Sequence, residues 1–192
     1  MPKLATSLPA TVSARTLTAV TGVEVPVPDP ENLIHLQFRR FAGCPVCNLH
    51  LRSIVLRRNE IAAVGIREVV VFHSSATELR TYVADVPLDL IADPTRTLYR
   101  EFGVESSPRA LLDPRVWPTI VRAVAADLRA VRRHEKRLLR GRPENGRLGL
   151  PADFLIAPDG RVLAAKHGAH ADDQWSVDEV LAHAARVEGG VR

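Results

Sequence analysis

At 192 residues and 46% hydrophobic content the chain can bury one sizeable core but is short for two full domains. Its formal charge of +4 is localised, because Arg109 to Arg147 holds eleven Lys or Arg against four Asp or Glu and leaves the remainder mildly acidic. That segment has a single aromatic, Trp117, and no regular interleaving of aromatics among its cations, and carries no nucleic-acid motif; no run approaches the ~18 apolar residues of a membrane span, and Met1–Ala14 has no continuous apolar stretch, so a soluble cytoplasmic protein without a nucleic-acid partner is expected.

Residues 1–14, rich in Ser, Thr and Pro, read as a loosely held extension before a single domain over 15–192. Thr16 to Val27 carries Leu17, Val20, Val23, Val25 and Val27 around Gly22 and is stopped by Pro26, Pro28 and Pro30, which predicts a short hairpin. Leu33-Ile34-His35-Leu36-Gln37-Phe38 alternates as a strand does. Leu49, Leu51, Ile54, Val55, Leu56, Ile61 and Val64 then recur at helical spacing, predicting a helix over 46–64 that Gly65 ends.

The only two cysteines lie at this strand-to-helix junction, in Phe41-Ala42-Gly43-Cys44-Pro45-Val46-Cys47-Asn48-Leu49-His50. Free backbone N–H groups and the helix dipole stabilise an anion there, so Cys44 is expected to ionise below about 8.5, the ordinary thiol value. Gly43 permits a tight turn and leaves Cys44 without a bulky shield, and Pro45 suits the first helical position. Cys47 lies one turn on. Cys44 can attack a substrate and Cys47 can resolve the product as a disulfide, with no bound cofactor. Buried, inert cysteines are the plain alternative.

Further along, Glu68-Val69-Val70-Val71-Phe72-His73 reads as a strand buried on both faces, and Ser75 opens a helix over 76–83. Leu88-Asp89-Leu90-Ile91-Ala92 is a third strand, and Pro94 starts a helix ending near Phe102-Gly103. Between about 107 and 147 a basic amphipathic helix is expected. Trp117, Ile120, Val121, Val124, Leu128, Val131 and Leu138 share one face, while Arg122, Arg129, Arg133, Lys136 and Arg140 occupy another. The apolar stripe is expected to pack on the domain or on a second subunit, which makes a homodimer one expected partner; an acidic partner or a membrane surface is the alternative. Ala152–Ala157, the Pro158-Asp159-Gly160 turn and Arg161–Lys166 form a hairpin, and Ser176 with Glu179 caps a last helix to about Val187. Alternating strands and helices give an α/β fold with a mainly parallel sheet.

Phe41-Ala42-Gly43-Cys44-Pro45-Val46-Cys47, the stretch from Asp93-Pro94 to Phe102-Gly103-Val104, and Leu150-Pro151-Ala152-Asp153-Phe154-Leu155-Ile156-Ala157-Pro158-Asp159-Gly160-Arg161-Val162 together resemble the peroxiredoxin-like branch of the alkyl hydroperoxide reductase and thiol-specific antioxidant (redoxin) group. The resemblance implies a three-layer thioredoxin-like fold with a central mixed sheet, an N-terminal hairpin and the basic helix as an insertion. It implies Cys44 as the attacking and Cys47 as the resolving cysteine, and Pro151 as a cis proline facing them. It also implies a hydroperoxide or disulfide substrate and an external thiol reductant such as thioredoxin or a low-molecular-weight thiol. Two positions depart from the pattern: Gln37 stands where the group has Pro, and Phe41 where it has Thr or Ser. The group's active-site arginine has five candidates here, Arg39, Arg40, Arg52, Arg109 and Arg147.

Cys44, Cys47 and His50, with His167 or His170, have the spacing of a partial zinc knuckle without the usual second ligand pair, so no metal is expected. Asn48 after the second cysteine excludes covalent haem attachment. The loop Lys166–Asp173 gathers two histidines and two carboxylates at a sheet edge, as a solvated loop or as support for catalysis. The reading is an antioxidant thiol-dependent oxidoreductase; the alternative is a non-enzymatic redox sensor or adaptor whose dithiol state controls how the basic helix docks.

Overall fold

Prolines and Gly22 confine the first pairing to two short strands, β1 (Arg15–Thr18) and β2 (Glu24–Val27), which form an antiparallel sheet of their own. The computed structural model describes residues 10–104, 106, 107, 109–133, 143 and 145–189, with the side chains of 109, 188 and 189 excepted. Within the segment read as an extension, Val12 N–H bonds Gly160 O at 2.8 Å and Val162 N–H bonds Ala10 O at 3.0 Å; residues 1–9 lie outside the described set.

The main sheet has the order β5-β4-β3-β6-β7. It is built from β3 (Leu33–Arg39), β4 (Ile66–Phe72), β5 (Asp89–Ala92), β6 (Ala152–Ile156) and β7 (Val162–His167). β3, β4 and β5 run parallel, while β6 and β7 are antiparallel additions on the other side of β3. This mixed sheet, covered on both faces, is a thioredoxin-like fold.

Alternation along β3 divides the layers. Ile34, Leu36 and Phe38 face a cluster with Val25 and Val27 of the hairpin and with Tyr99 and Phe102 around α4 (Thr97–Glu101). His35, Gln37 and Arg39 face the opposite layer, which holds α1 (Pro45–Leu56), α2 (Arg58–Ala63), α3 (Ala76–Tyr82) and α7 (Val177–Gly189). The polar side of the strand is therefore buried, not solvated.

The helix expected over 46–64 is two helices, interrupted at Arg57 (φ −111°, ψ 16°), whose N–H forks to Ser53 O and Ile54 O. The helix expected to start at Pro94 begins at Thr97, because Arg96 sits at φ 56°, outside right-handed helical space, and the Asp93 carboxylate accepts from Thr97 N–H at 2.9 Å and Leu98 N–H at 2.8 Å. Ser176 and Glu179 form the expected reciprocal cap at the start of α7.

Between α4 and β6 lie α5 (Arg109–Leu112), a short 3₁₀ turn (Pro114–Val116) and α6 (Trp117–Arg132). Leu138, Lys136 and Arg140 of the expected amphipathic helix lie outside the described residues. Only part of the expected stripe is covered. Ala123 and Ala130 are buried and Ile120 packs on the cysteine segment, while Trp117, Val121, Val124 and Leu128 stand 41–64% exposed. Among the described residues no helix is long and apolar enough to cross a membrane.

Candidate active site

Gly43, at φ +78°, turns the chain out of the strand, and Cys44 occupies the N-cap of α1 with Pro45 at the first helical position. The Cys44 sulfur takes the place of a capping oxygen and accepts from Cys47 N–H at 3.5 Å. The two cysteines approach to 3.0 Å and are free. Burial alone would raise the Cys44 pKa, but a hydrogen bond from the Cys47 thiol, the Arg40 guanidinium and the backbone N–H groups of Cys47 and Val46 outweigh it and bring it down to about 6. Cys47 moves the opposite way, its thiol held protonated by burial and by donating to Cys44. The thiolate is thus favoured on Cys44 and the protonated thiol on Cys47.

Of the five candidate arginines, Arg40 reaches the site: Nη1 lies 3.6 Å from Cys44 Sγ, Nη2 donates to Arg147 O, and the guanidinium carbon sits 5.4 Å from the Phe41 ring centre. Arg39 points the other way, the Arg109 side chain lies outside the described set, Arg52 belongs to a separate cleft with Tyr82 and Asp127, and Arg147 lines the cleft that reaches Cys44.

The shield over Cys44 differs from expectation. Cys44 and Cys47 are each only 1% exposed, because α6 lays Ile120 and Ala123 across Phe41, Cys44, Val46 and Cys47. Gly43 itself lines the space left open beside the sulfur. What remains is a cleft of about 330 Å³ between the start of α1 and α6, lined by Arg40, Phe41, Cys44, Ile120, Val124 and Leu128 among others.

Pro151 also departs from expectation. Among the described residues the single cis peptide bond is Val27–Pro28, so the bond before Pro151 is trans. Extended backbone carries the chain from the Gly149 bridge with Ser106 into β6, and Pro151 O accepts from Gly168 N–H at 2.9 Å, a path that a trans bond continues.

Beneath α1 lies a buried polar cluster that the sequence did not disclose. His35 Nδ1 is 2.8 Å from Glu68 Oε2 and its Nε2 is 3.2 Å from Asp153 Oδ1. Arg39 Nη2 donates to Asp153 Oδ1 at 2.8 Å and to His50 Nε2 at 3.0 Å, and Gln37 bridges Glu68 and Arg39. Burial opposes a charge on His35, yet Glu68 and Asp153 overcome it and raise its pKa to about 9. His50 is held neutral by burial and by Arg39. The signal was parity: residues 35, 37 and 39 share one face of a strand whose other face is apolar.

The histidines of the zinc alternative are engaged elsewhere, His50 with Arg39 and His167 with Phe102 O at 2.9 Å. Among the described residues no group of three or more His, Cys, Asp or Glu could hold a metal ion. The loop around His170 ties down the insertion, with Thr119 Oγ1 donating to Asp172 at 2.6 Å and Ala171 N–H bonding Ala110 O at 3.0 Å.

Residues 53–170 match the family described as AhpC/TSA antioxidant enzyme. The chain belongs to that family. The match begins after Cys47, so the cysteine pair is placed by the geometry above and not by the family pattern. No curated protein matches this AhpC/TSA chain. Solved structures with the same fold include peroxidoxin BcpB from Mycobacterium tuberculosis (19% identity over 96% of this chain and 97% of that one, TM-score 0.58). Xanthomonas campestris peroxiredoxin Q aligns at 15% identity over 97% of each chain with TM-score 0.60. A putative thiol:disulfide interchange protein DsbE from Chlorobium tepidum aligns at 15% over 97% of this chain and 99% of that one, with TM-score 0.56. Family and fold together support a thiol-dependent redox function.

Proposed function

We propose that this AhpC/TSA protein reduces small hydroperoxides with Cys44 as the attacking and Cys47 as the resolving residue. The observation that carries the reading is the pairing of a thiolate-favouring N-cap sulfur beside Arg40 with a protonated thiol 3.0 Å away. Cys44 S⁻ attacks the terminal oxygen of ROOH, the O–O bond breaks, and RO⁻ leaves to take a proton from solvent. Arg40 balances negative charge as it moves from sulfur to oxygen. Cys47 then displaces hydroxide from the Cys44 sulfenic acid, releasing water and closing a disulfide, which two equivalents of an external thiol reduce. Gly43 and Pro45 support the turn that presents Cys44.

Hydroperoxide is favoured over a protein disulfide as oxidant because both sulfurs are buried behind α6 and the cleft admits a slender molecule more readily than an exposed loop of another protein. A low-molecular-weight thiol, or thioredoxin after α6 moves, would serve as reductant in a reducing cytoplasm, and the reading treats residues 15–192 as one functional unit. A redox sensor is a second reading with its own support, since α6 packs directly on both cysteines and a disulfide would alter its seat.

Mass spectrometry after limiting peroxide tests the assignment. Wild type should lose two hydrogens, Cys47→Ser should gain one oxygen at Cys44, and Cys44→Ser should consume no peroxide. Undiminished turnover in Cys44→Ser would overturn it, and oxidation without turnover would favour the sensor.

A further inference from the structure

Among the described residues, six of the eight large hydrophobic side chains left exposed fall between Leu112 and Leu148. Four of them, Trp117, Val121, Val124 and Leu128, recur every three or four residues and form one stripe along α6. No polar side chain interrupts the stripe. Exposed Arg122 and Arg129, seven apart, run beside it with Arg132 and Arg133 at its end, and the sequence adds Lys136, Arg137, Arg140 and Arg142. The fully buried side of the helix, Ala123 and Ala130, is a separate face, so the stripe lies apart from the residues that seat α6 most deeply. Val124 and Leu128 belong both to the stripe and to the cleft that reaches Cys44, so the cleft opens beside this face.

We propose that the exposed face of α6 docks on an anionic lipid surface. The charge is complementary, because arginines concentrate beside the stripe while the rest of the chain is mildly acidic. Lipid also fits better than a protein partner does. A fluid apolar phase needs neither shape complementarity nor matched hydrogen bonds, and this stripe of aliphatic groups offers only the one indole N–H, while arginine stems can lie along the apolar boundary with their heads in the phosphate layer. A second copy of the chain would bring like-charged arginine rows close together.

The experiment uses the full chain with vesicles of phosphatidylcholine alone or mixed with phosphatidylglycerol. Trp175 is 4% exposed with its ring 4.4 Å from that of His183, so a blue shift on adding vesicles reports Trp117. The proposal expects that shift and co-sedimentation with anionic vesicles only, both lost when salt rises from about 0.1 M to about 1 M. Arg122→Glu with Arg129→Glu, and separately Trp117→Ser with Val121→Ser, should each weaken partition by about tenfold or more while leaving the circular dichroism unchanged. Binding by Cys44→Ser should equal wild type, which keeps this test independent of the redox reading. Equal behaviour with both vesicle types, no binding to either, a dimer in sedimentation that the same variants dissociate, or capture of an acidic protein in place of vesicles would each overturn the proposal.

Discussion

Arg40 Nη1 lies 3.6 Å from Cys44 Sγ while its other amino group is held by Arg147 O, so its charge is fixed in place before any substrate arrives. Replacing it with Leu keeps the packing on Phe41 and removes the charge. The pH midpoint for Cys44 alkylation, expected near 6 in wild type, should then rise by about one unit or more, and labelling at neutral pH should slow by about tenfold. A mass-spectrometric alkylation series against pH checks this; an unmoved midpoint would assign the effect to the helix start alone. That Cys44 should be the ionised sulfur was legible, because Gly43-Cys44-Pro45 spells a helix cap. Which arginine serves it was not. Five were open, and the choice depends on where β3 ends: Arg39 keeps the parity of His35 and Gln37 and turns into the buried cluster, while Arg40 falls past the strand and turns toward the sulfur.

The strands and both hairpins were legible because Pro and Gly punctuate them and their periods are clear, but the strand order was not: alternation suggested a mainly parallel sheet, whereas β6 and β7 join it antiparallel on the far side of β3. The covering of the site was not legible. Periodicity showed that α6 is amphipathic, yet its contact face is the small-residue side, Ala123 and Ala130, and short side chains carry little weight in a hydrophobic pattern. Ala123→Leu overfills the seat of α6 on Phe41 and Cys44, so stability should fall by about 1–3 kcal/mol while Cys44 alkylates faster as the helix lifts. Slower alkylation would show that α6 does not gate the sulfur. At the β7 end, a Cβ on Gly168 would meet the main-chain oxygen of Asp173 and lie 2.7 Å from Pro151 Cγ. Gly168→Ala should therefore cost about 2–3 kcal/mol in urea denaturation, because neither backbone nor proline ring can move aside cheaply.

For the molecule as a whole, two buried histidines set opposite limbs of the stability curve. His73 is 1% exposed with neither ring nitrogen hydrogen-bonded, and burial, reinforced by Arg96 and Arg40, lowers its pKa to about 4. The unfolded chain takes up that proton near pH 6.5 and the folded one does not. Stability from this site is thus intact above 6.5 and is lost progressively as pH falls toward 4, by up to about 3 kcal/mol. His35 is the reverse case: its folded pKa is raised to about 9, so its contribution is present below 6.5 and disappears as pH rises through about 9. In a Cys44→Ser background, which removes the thiolate's own titration near 6, urea denaturation from pH 4 to pH 10 should give a curve that falls on both sides. His73→Phe, whose ring can keep the edge-to-face contact with Tyr99, should flatten the acid side and spare the alkaline one. His35→Gln should act below about pH 9 and lose its effect above it, because at lower pH it leaves Glu68 and Asp153 buried with only the Arg39 charge between them. Removing one partner of such a buried pair costs about 3–5 kcal/mol. An acid limb that survives His73→Phe would place the titrating group elsewhere, and a His35→Gln protein as stable as wild type would show that the cluster beneath α1 carries no net charge balance.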